Sequence, residues 1–262
     1  MQKLATVQLL SCSGLGPLDL IDTPTTSLRR FELVLDEVGE LELLRLNAPN
    51  LEALLVVVDC LPGPVAEEER QLWGSVQVQA GCLLELHLDL TAPSNLRIAP
   101  ATCAHLRRLQ VMGDEWQWGV VAELLHMGGP TLEVLNLGAS LLLPSTLDPA
   151  LFFLRLPTLQ YLSLGSDLFL LLGRSLEAGE GRLSCPCLRE VHVEYVLRAM
   201  EEVRLAAALL RGCPRLAVLQ PIYHAVQVQV RDLSGTCGAQ EGEEWRAAIA
   251  QLRLQYPRVN LM

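Results

Sequence analysis

No stretch of this 262-residue chain is apolar for long enough to cross a bilayer, although 50% of it is hydrophobic and its mean hydropathy is +0.30. A spanning helix needs about 18 or more consecutive apolar residues. The apolar stretches that begin at Leu54 and Leu168 are cut by Asp59 and Gly173. No membrane partner is expected. Basic charge is also short, with 20 Lys and Arg against 30 Asp and Glu, a net charge of −10 and a pI near 5.0. Such a surface repels phosphate backbones, and no basic stripe with interleaved aromatics offsets it, so no nucleic-acid partner is expected. Residues 1–16 lack the basic start, long apolar core and small-residue cleavage site of a signal peptide. They are expected to join the structure that follows.

What the chain has is a Leu-x-x-Leu-x-Leu phrase that keeps returning. It starts at Leu51, Leu83, Leu106, Leu132, Leu159, Leu188 and Leu216, at spacings of 32, 23, 26, 27, 29 and 28. Leu28 and Leu41 begin further copies at tighter spacing, and Leu4 lies 24 residues before Leu28. Self-similarity at a fixed period marks stacked repeats with one continuous core. A single repeat domain over residues 1–262 is expected, with irregular short repeats over 1–60, regular ones over 61–222 and a C-terminal cap over 223–262.

Within each unit the phrase alternates apolar and polar residues, which reads as a short strand. Helices are expected behind the strands at 65–78, 116–127, 196–211 and 243–255, the later ones stopped by Gly128, Gly212 and Pro257. Pro49, Pro130, Pro157, Pro186 and Pro214 each stand two positions before the first leucine of a unit, which suggests an extended lead-in. Strand followed by helix, repeated, gives an α/β solenoid: a curved horseshoe with parallel strands on the concave face and helices on the convex face. Around nine strands at roughly 4.8 Å spacing make an inner face about 40 Å long.

Eight cysteines (Cys12, Cys60, Cys82, Cys103, Cys185, Cys187, Cys213 and Cys237) follow the repeat and not a disulfide framework. They are expected to be reduced and mostly buried as small hydrophobes, in a cytoplasmic or nuclear protein. Cys185-x-Cys187 lacks zinc spacing and reads as a proline-centred turn. No cofactor or metal is expected.

These residues resemble a leucine-rich repeat protein. Units of 26 to 29 residues are similar to the ribonuclease-inhibitor-like and cysteine-containing classes. Cys213-Pro214-Arg215-Leu216 and Cys185-Pro186-Cys187-Leu188 resemble the Cys-Pro-x-Leu junctions of F-box leucine-rich repeat proteins. Ala48-Pro49-Asn50-Leu51 is similar to a segment of plant-type F-box proteins. Two departures stand out. The ninth repeat position, usually Asn or Cys, holds Asp36, Asp59, Asp114 and Asp167, and an ionised Asp accepts but cannot donate. No F-box is seen ahead of the repeats, so the expectation is either a piece of a longer chain or a repeat protein lacking that module. The resemblance implies a cullin-ligase adaptor as partner if an F-box exists upstream.

Residues between the leucines point to the concave face. From successive strands they are Glu85, His87 and Asp89; Arg108 and Gln110; Asn136; Tyr161 and Ser163; and Glu190, His192 and Glu194. Polar groups one strand apart can meet an extended partner. Leu55 and Val57 hold the same positions further N-terminal, which suggests that end is covered. His87 with Asp89, and His192 with Glu190 and Glu194, share strand faces, but a hydrolytic metal needs about three convergent ligands plus an open position, and no nucleophile is attached to either group. Trp116-x-Trp118 is either an exposed anchor or packing beneath the next helix. The glycines around Glu180 and those between Gly235 and Gly242 do not form a phosphate loop. The expected function is a non-enzymatic protein-binding scaffold, in its specific form the substrate-recognition arm of an F-box ubiquitin ligase. The alternative is a regulator or inhibitor unrelated to ubiquitin.

Overall fold

The computed structural model describes residues 5–10, 18–20, 26–35, 43–58, 75–90, 95–113, 116–138, 141–142, 156–165, 168, 185–194, 207, 210–211, 213, 215, 218–222, 247–248, 250–258 and 260–261. They fall in two compact units, Met1–Leu147 and Asp148–Met262.

The first unit is a parallel β-solenoid. In chain order its strands are β1 (Thr6–Leu10), β2 (Leu18–Leu20), β3 (Arg30–Leu35), β4 (Leu43–Asn47), β5 (Ala53–Val58), β6 (Ser75–Gln79), β7 (Glu85–Asp89), β8 (Asn95–Ile98), β9 (Arg108–Met112), β10 (Trp116–Gln117), β11 (Val134–Leu137) and β12 (Leu141–Leu142). One sheet runs β1-β3-β5-β7-β9-β11, each strand parallel to the next. A second sheet, β2-β4-β6-β8, is built from the strands between, so the chain visits the two sheets alternately for four turns. β10 pairs with β12 after that.

The cause is local. In β5 (ALLVVV) and β7 (ELHLD) burial alternates residue by residue, as period-2 side chains require. Phe31, Leu33, Leu54, Val56, Leu86, Leu88, Leu109, Val111, Leu135 and Leu137 form buried columns on the first sheet, and Leu44, Leu46, Val76 and Val78 do so on the second. Each inward leucine contributes about 1.5–3 kcal/mol relative to exposure.

Three expectations change here. Ser75–Gln79, expected at the end of a helix over 65–78, is strand β6, because Val76 and Val78 alternate inward; residues 65–74 lie outside the described residues. The Leu41 phrase, counted as a tightly spaced repeat, is β4 of the second sheet, which accounts for the irregular spacing. The prolines do not make an extended lead-in. Leu51 N–H donates to Ala48 O (3.0 Å), Leu132 to Gly129 O (3.4 Å), Leu159 to Leu156 O (3.2 Å) and Leu188 to Cys185 O (3.1 Å). Pro49, Pro130, Pro157 and Pro186 therefore sit second in a four-residue turn, where a fixed φ suits them. Pro214 is outside the described residues.

Helix α1 (Pro100–Cys103) is one turn, and α2 (Trp118–Gly128) meets the expectation over 116–127 from its third residue. Successive turns are stitched by a repeated bond pattern. The carbonyl of Arg29 accepts the amides of Glu52 and Ala53, Glu52 those of Leu84 and Glu85, Leu84 those of Arg107 and Arg108, and Arg107 those of Glu133 and Val134. Turn side chains reach back as well: Asn50 Nδ2 donates to Thr26 O (2.6 Å) and Thr131 Oγ1 to Leu106 O (2.9 Å). Asp36, Asp59, Asp114 and Asp167 lie outside the described residues.

The second unit holds β13 (Tyr161–Gly165), β14 (Glu190–Glu194), β15 (Val218–Ile222) and β16 (Asn260–Leu261), again parallel and in that order. The same entry bonds recur, Gln160 O accepting Arg189 and Glu190 amides. Of the helix expected over 196–211, Ala207, Leu210 and Arg211 are described and helical. Residues 247–248 and 250–255 are helical before Pro257, in line with the expectation over 243–255. No helix among the described residues is long and apolar enough to cross a membrane.

Candidate binding surface

The outward residues of the first unit's ladder fall into rows. One row reads Thr6, Arg30, Ala53, Glu85, Arg108 and Val134; the next reads Gln8, Glu32, Leu55, His87, Gln110 and Asn136. A third brings Val34, Val57, Asp89 and Met112 together. Glu85, His87, Asp89, Arg108, Gln110 and Asn136 thus share one face, as the alternation requires.

Leu55 and Val57 do not end this face. Both are part-exposed, and beyond them the polar row continues through Glu32 to Gln8. Arg30 and Glu32, not among the residues expected on this face, flank Phe31 in a phrase visible in the sequence. Glu32 accepts from Gln8 Nε2 and Arg30 Nε, and is 7% exposed. The Arg30 guanidinium and the Gln8 amide hold its carboxyl below the ordinary range against the opposing effect of burial.

Across the face, Arg108 Nη1 lies 3.5 Å from Glu85 Oε1, both well exposed. Arg29 pairs with Glu52, and Arg107 with Glu133 at 3.5 Å, along the strand entrances. His87 is pushed below its ordinary pKa by burial, so its imidazole is neutral at pH 7. Its Nε2 and Asn136 Oδ1 are buried without a hydrogen-bond partner among the described residues. Arg30, Glu32, Ala53, Leu55, Glu85, His87, Arg108 and Gln110 surround a cavity of about 200 Å³.

In the second unit Tyr161 lies in register with Glu190 and Ser163 with His192. The Tyr161 ring stacks on His192, with centroids 4.8 Å apart and planes at 28°, and His192 Nε2 is 3.6 Å from Glu190 Oε2. Ser163 is fully buried and so cannot touch a partner. Glu194 is on β14, but its side chain lies outside the described residues.

Trp116 and Trp118 are both buried, at 0% and 2% exposure, so neither serves as an exposed anchor. Cys185 and Cys213 are buried thiols pushed up to about 12 and about 11 by desolvation, and Cys103 to about 11, which makes all three poor nucleophiles at neutral pH. Cys185 with Pro186 forms the proline-centred turn expected there. Among the described residues no three His, Cys, Asp or Glu side chains are placed to hold a metal. What the face can do is present in-register hydrogen-bonding and charged groups around a shallow cavity.

Comparison with protein-family models, with curated proteins and with solved structures finds no match.

Proposed function

We propose that this chain is a non-enzymatic scaffold that holds a partner protein on the outward face of its parallel ladder. The observation that carries this reading is the row Gln8, Glu32, Leu55, His87, Gln110 and Asn136: six side chains in strict register on a rigid leucine-cored sheet. Groups spaced one strand apart can meet an extended segment, and of this row Gln8 is exposed and Leu55, His87, Gln110 and Asn136 are part-exposed, with buried Glu32 holding Arg30 and Gln8 in place. In its finer form the chain is a divergent leucine-rich repeat protein in which strands replace the helical backs of the early turns. It works in the cytosol or nucleus.

A second reading, the recognition arm of a ubiquitin ligase, is favoured by one observation. Lys3 is the single lysine of the chain, against 19 arginines. Lysine is the residue that accepts ubiquitin. A receptor held beside a ubiquitin-transfer enzyme gains from having almost none.

The test is purification of the tagged protein from its own cells, followed by mass spectrometry. A partner recovered in near-equal amount, and lost on Arg108→Glu with folding unchanged, supports the scaffold. Recovery of a cullin with its adaptor supports the ligase form. Turnover of a small molecule by the pure protein would count against both.

A further inference from the structure

The cavity on the first unit's ladder has a lining that selects its occupant, and this inference rests on the scaffold reading above. Ala53 has the shortest side chain in the row Thr6, Arg30, Ala53, Glu85, Arg108, Val134. It leaves a notch with part-exposed Leu55 beside it. Arg30 stands directly on one side with its side chain 52% exposed; on the other comes Glu85, and one strand beyond it Arg108, 65% exposed, whose guanidinium reaches back to the Glu85 carboxylate. The strands of the two arginines are three spacings apart, roughly 14 Å, a gap that two extended guanidinium side chains can close over a flat ring.

The charge is balanced. Glu32 and Glu85 each pair with one of those arginines, and His87 adds no charge at neutral pH. A phosphate or a carboxylate would meet two carboxylates in the lining, and an ammonium would meet two guanidiniums. The occupant is therefore uncharged. At about 200 Å³ the cavity falls below the roughly 300–1,000 Å³ of sites for drug-sized ligands, and suits one large side chain. Guanidinium groups bind the faces of aromatic rings far better than aliphatic chains.

We infer that this cavity receives an aromatic side chain, Tyr, Phe or Trp, projected by an extended segment of the partner protein. The ring lies over Ala53 and Leu55 between Arg30 and Arg108, while the flanking segment runs across the strands past Gln110 and Asn136. A single buried aromatic anchor of this kind commonly dominates an interface.

The probe is a phage-displayed library of random peptides, selected on the full chain, with affinities of the winners read by fluorescence anisotropy. An aromatic at one fixed position is expected in the selected peptides. Ala53→Leu, which fills the notch at a part-exposed sheet position, should weaken them about 30-fold, as loss of a hot spot does. Arg108→Gln should weaken them by a smaller factor and serves in place of Ala53→Leu if that variant melts early. Peptides that bind the ladder face, weakened by substitution of Gln110 or Asn136 but without an aromatic or indifferent to Ala53→Leu, would overturn this inference and leave the scaffold standing. Failure to select any peptide would overturn both.

Discussion

The indole nitrogen of Trp116 lies 2.8 Å from the carbonyl oxygen of Leu90, 26 residues earlier, and 2.8 Å from that of Met112. One buried N–H thus ties the exits of β7 and β9 together. Trp116→Phe deletes the donor and shrinks a fully buried ring, leaving the Leu90 carbonyl without this bond, while Met112 O still accepts the Leu90 amide at 3.2 Å. A loss of about 1–3 kcal/mol is expected, read as a lower urea midpoint with unchanged slope.

Gly113 makes that arrangement possible. Its φ is +94°, and a Cβ there would lie 2.2 Å from Leu90 O. Gly113→Ala must move the backbone that Trp116 bonds to, so it should destabilise the first unit by more than the roughly 1–2 kcal/mol of left-handed strain alone. Equal stability of Gly113→Ala and the parent in chemical denaturation would show that this bend can relax.

Thr102 is buried at 1% exposure, and its Oγ1 accepts from the Ala80 amide at 3.1 Å. Thr102→Val preserves shape and removes the acceptor, at an expected cost of about 1–3 kcal/mol. Thr102→Ser keeps the oxygen and should lose less. Amide exchange at Ala80, measured by NMR, should quicken in the valine variant and stay slow in the serine one.

The ladder was legible because a period-2 leucine pattern is written locally: Leu54 and Val56, or Leu86 and Leu88, can face only one way. Which sheet a strand joins is set by long-range register, so the Leu44–Leu46 pair looked like a ladder turn and proved to belong to β4. The helix expected over 65–78 runs over Val76 and Val78, whose inward alternation is that of a strand. On the face, Glu85, His87 and Arg108 followed from alternation. Arg30 and Glu32 escape the sequence pattern because the apolar Leu55 and Val57 between them and Glu85 read as a cover. Nothing local distinguishes a part-exposed leucine from a buried one. The tryptophans could not be placed without knowing that Leu90 O comes within reach of Trp116.

Arg108 and Glu85 pair at 3.5 Å on an exposed surface, where such pairs are worth about 0–1 kcal/mol. Arg108→Glu is therefore expected to leave the denaturation midpoint nearly unchanged while abolishing partner recovery. A large drop in stability would mean that the pair is structural and that its role in recognition cannot be isolated by this variant.

His87 and Glu32 sit two strands apart in one row, and each should leave its own mark on stability against pH. Burial lowers the His87 pKa from its ordinary 6.5. Below that value the unfolded chain takes up a proton that the folded one resists, so stability falls as pH drops, until the folded pKa is passed. Glu32 is lowered from 4.5 by Arg30 and then Gln8. Its contribution is complete above 4.5 and is lost as pH falls through the folded value. His87→Gln should flatten the first window and leave the second, whereas Glu32→Gln should flatten the second and reduce stability above it. Urea midpoints measured from pH 8 to pH 3 separate the two. If His87→Gln leaves the slope just below pH 6.5 unaltered, the imidazole titrates as an exposed one would, and a charged group then lines the cavity under mildly acidic conditions.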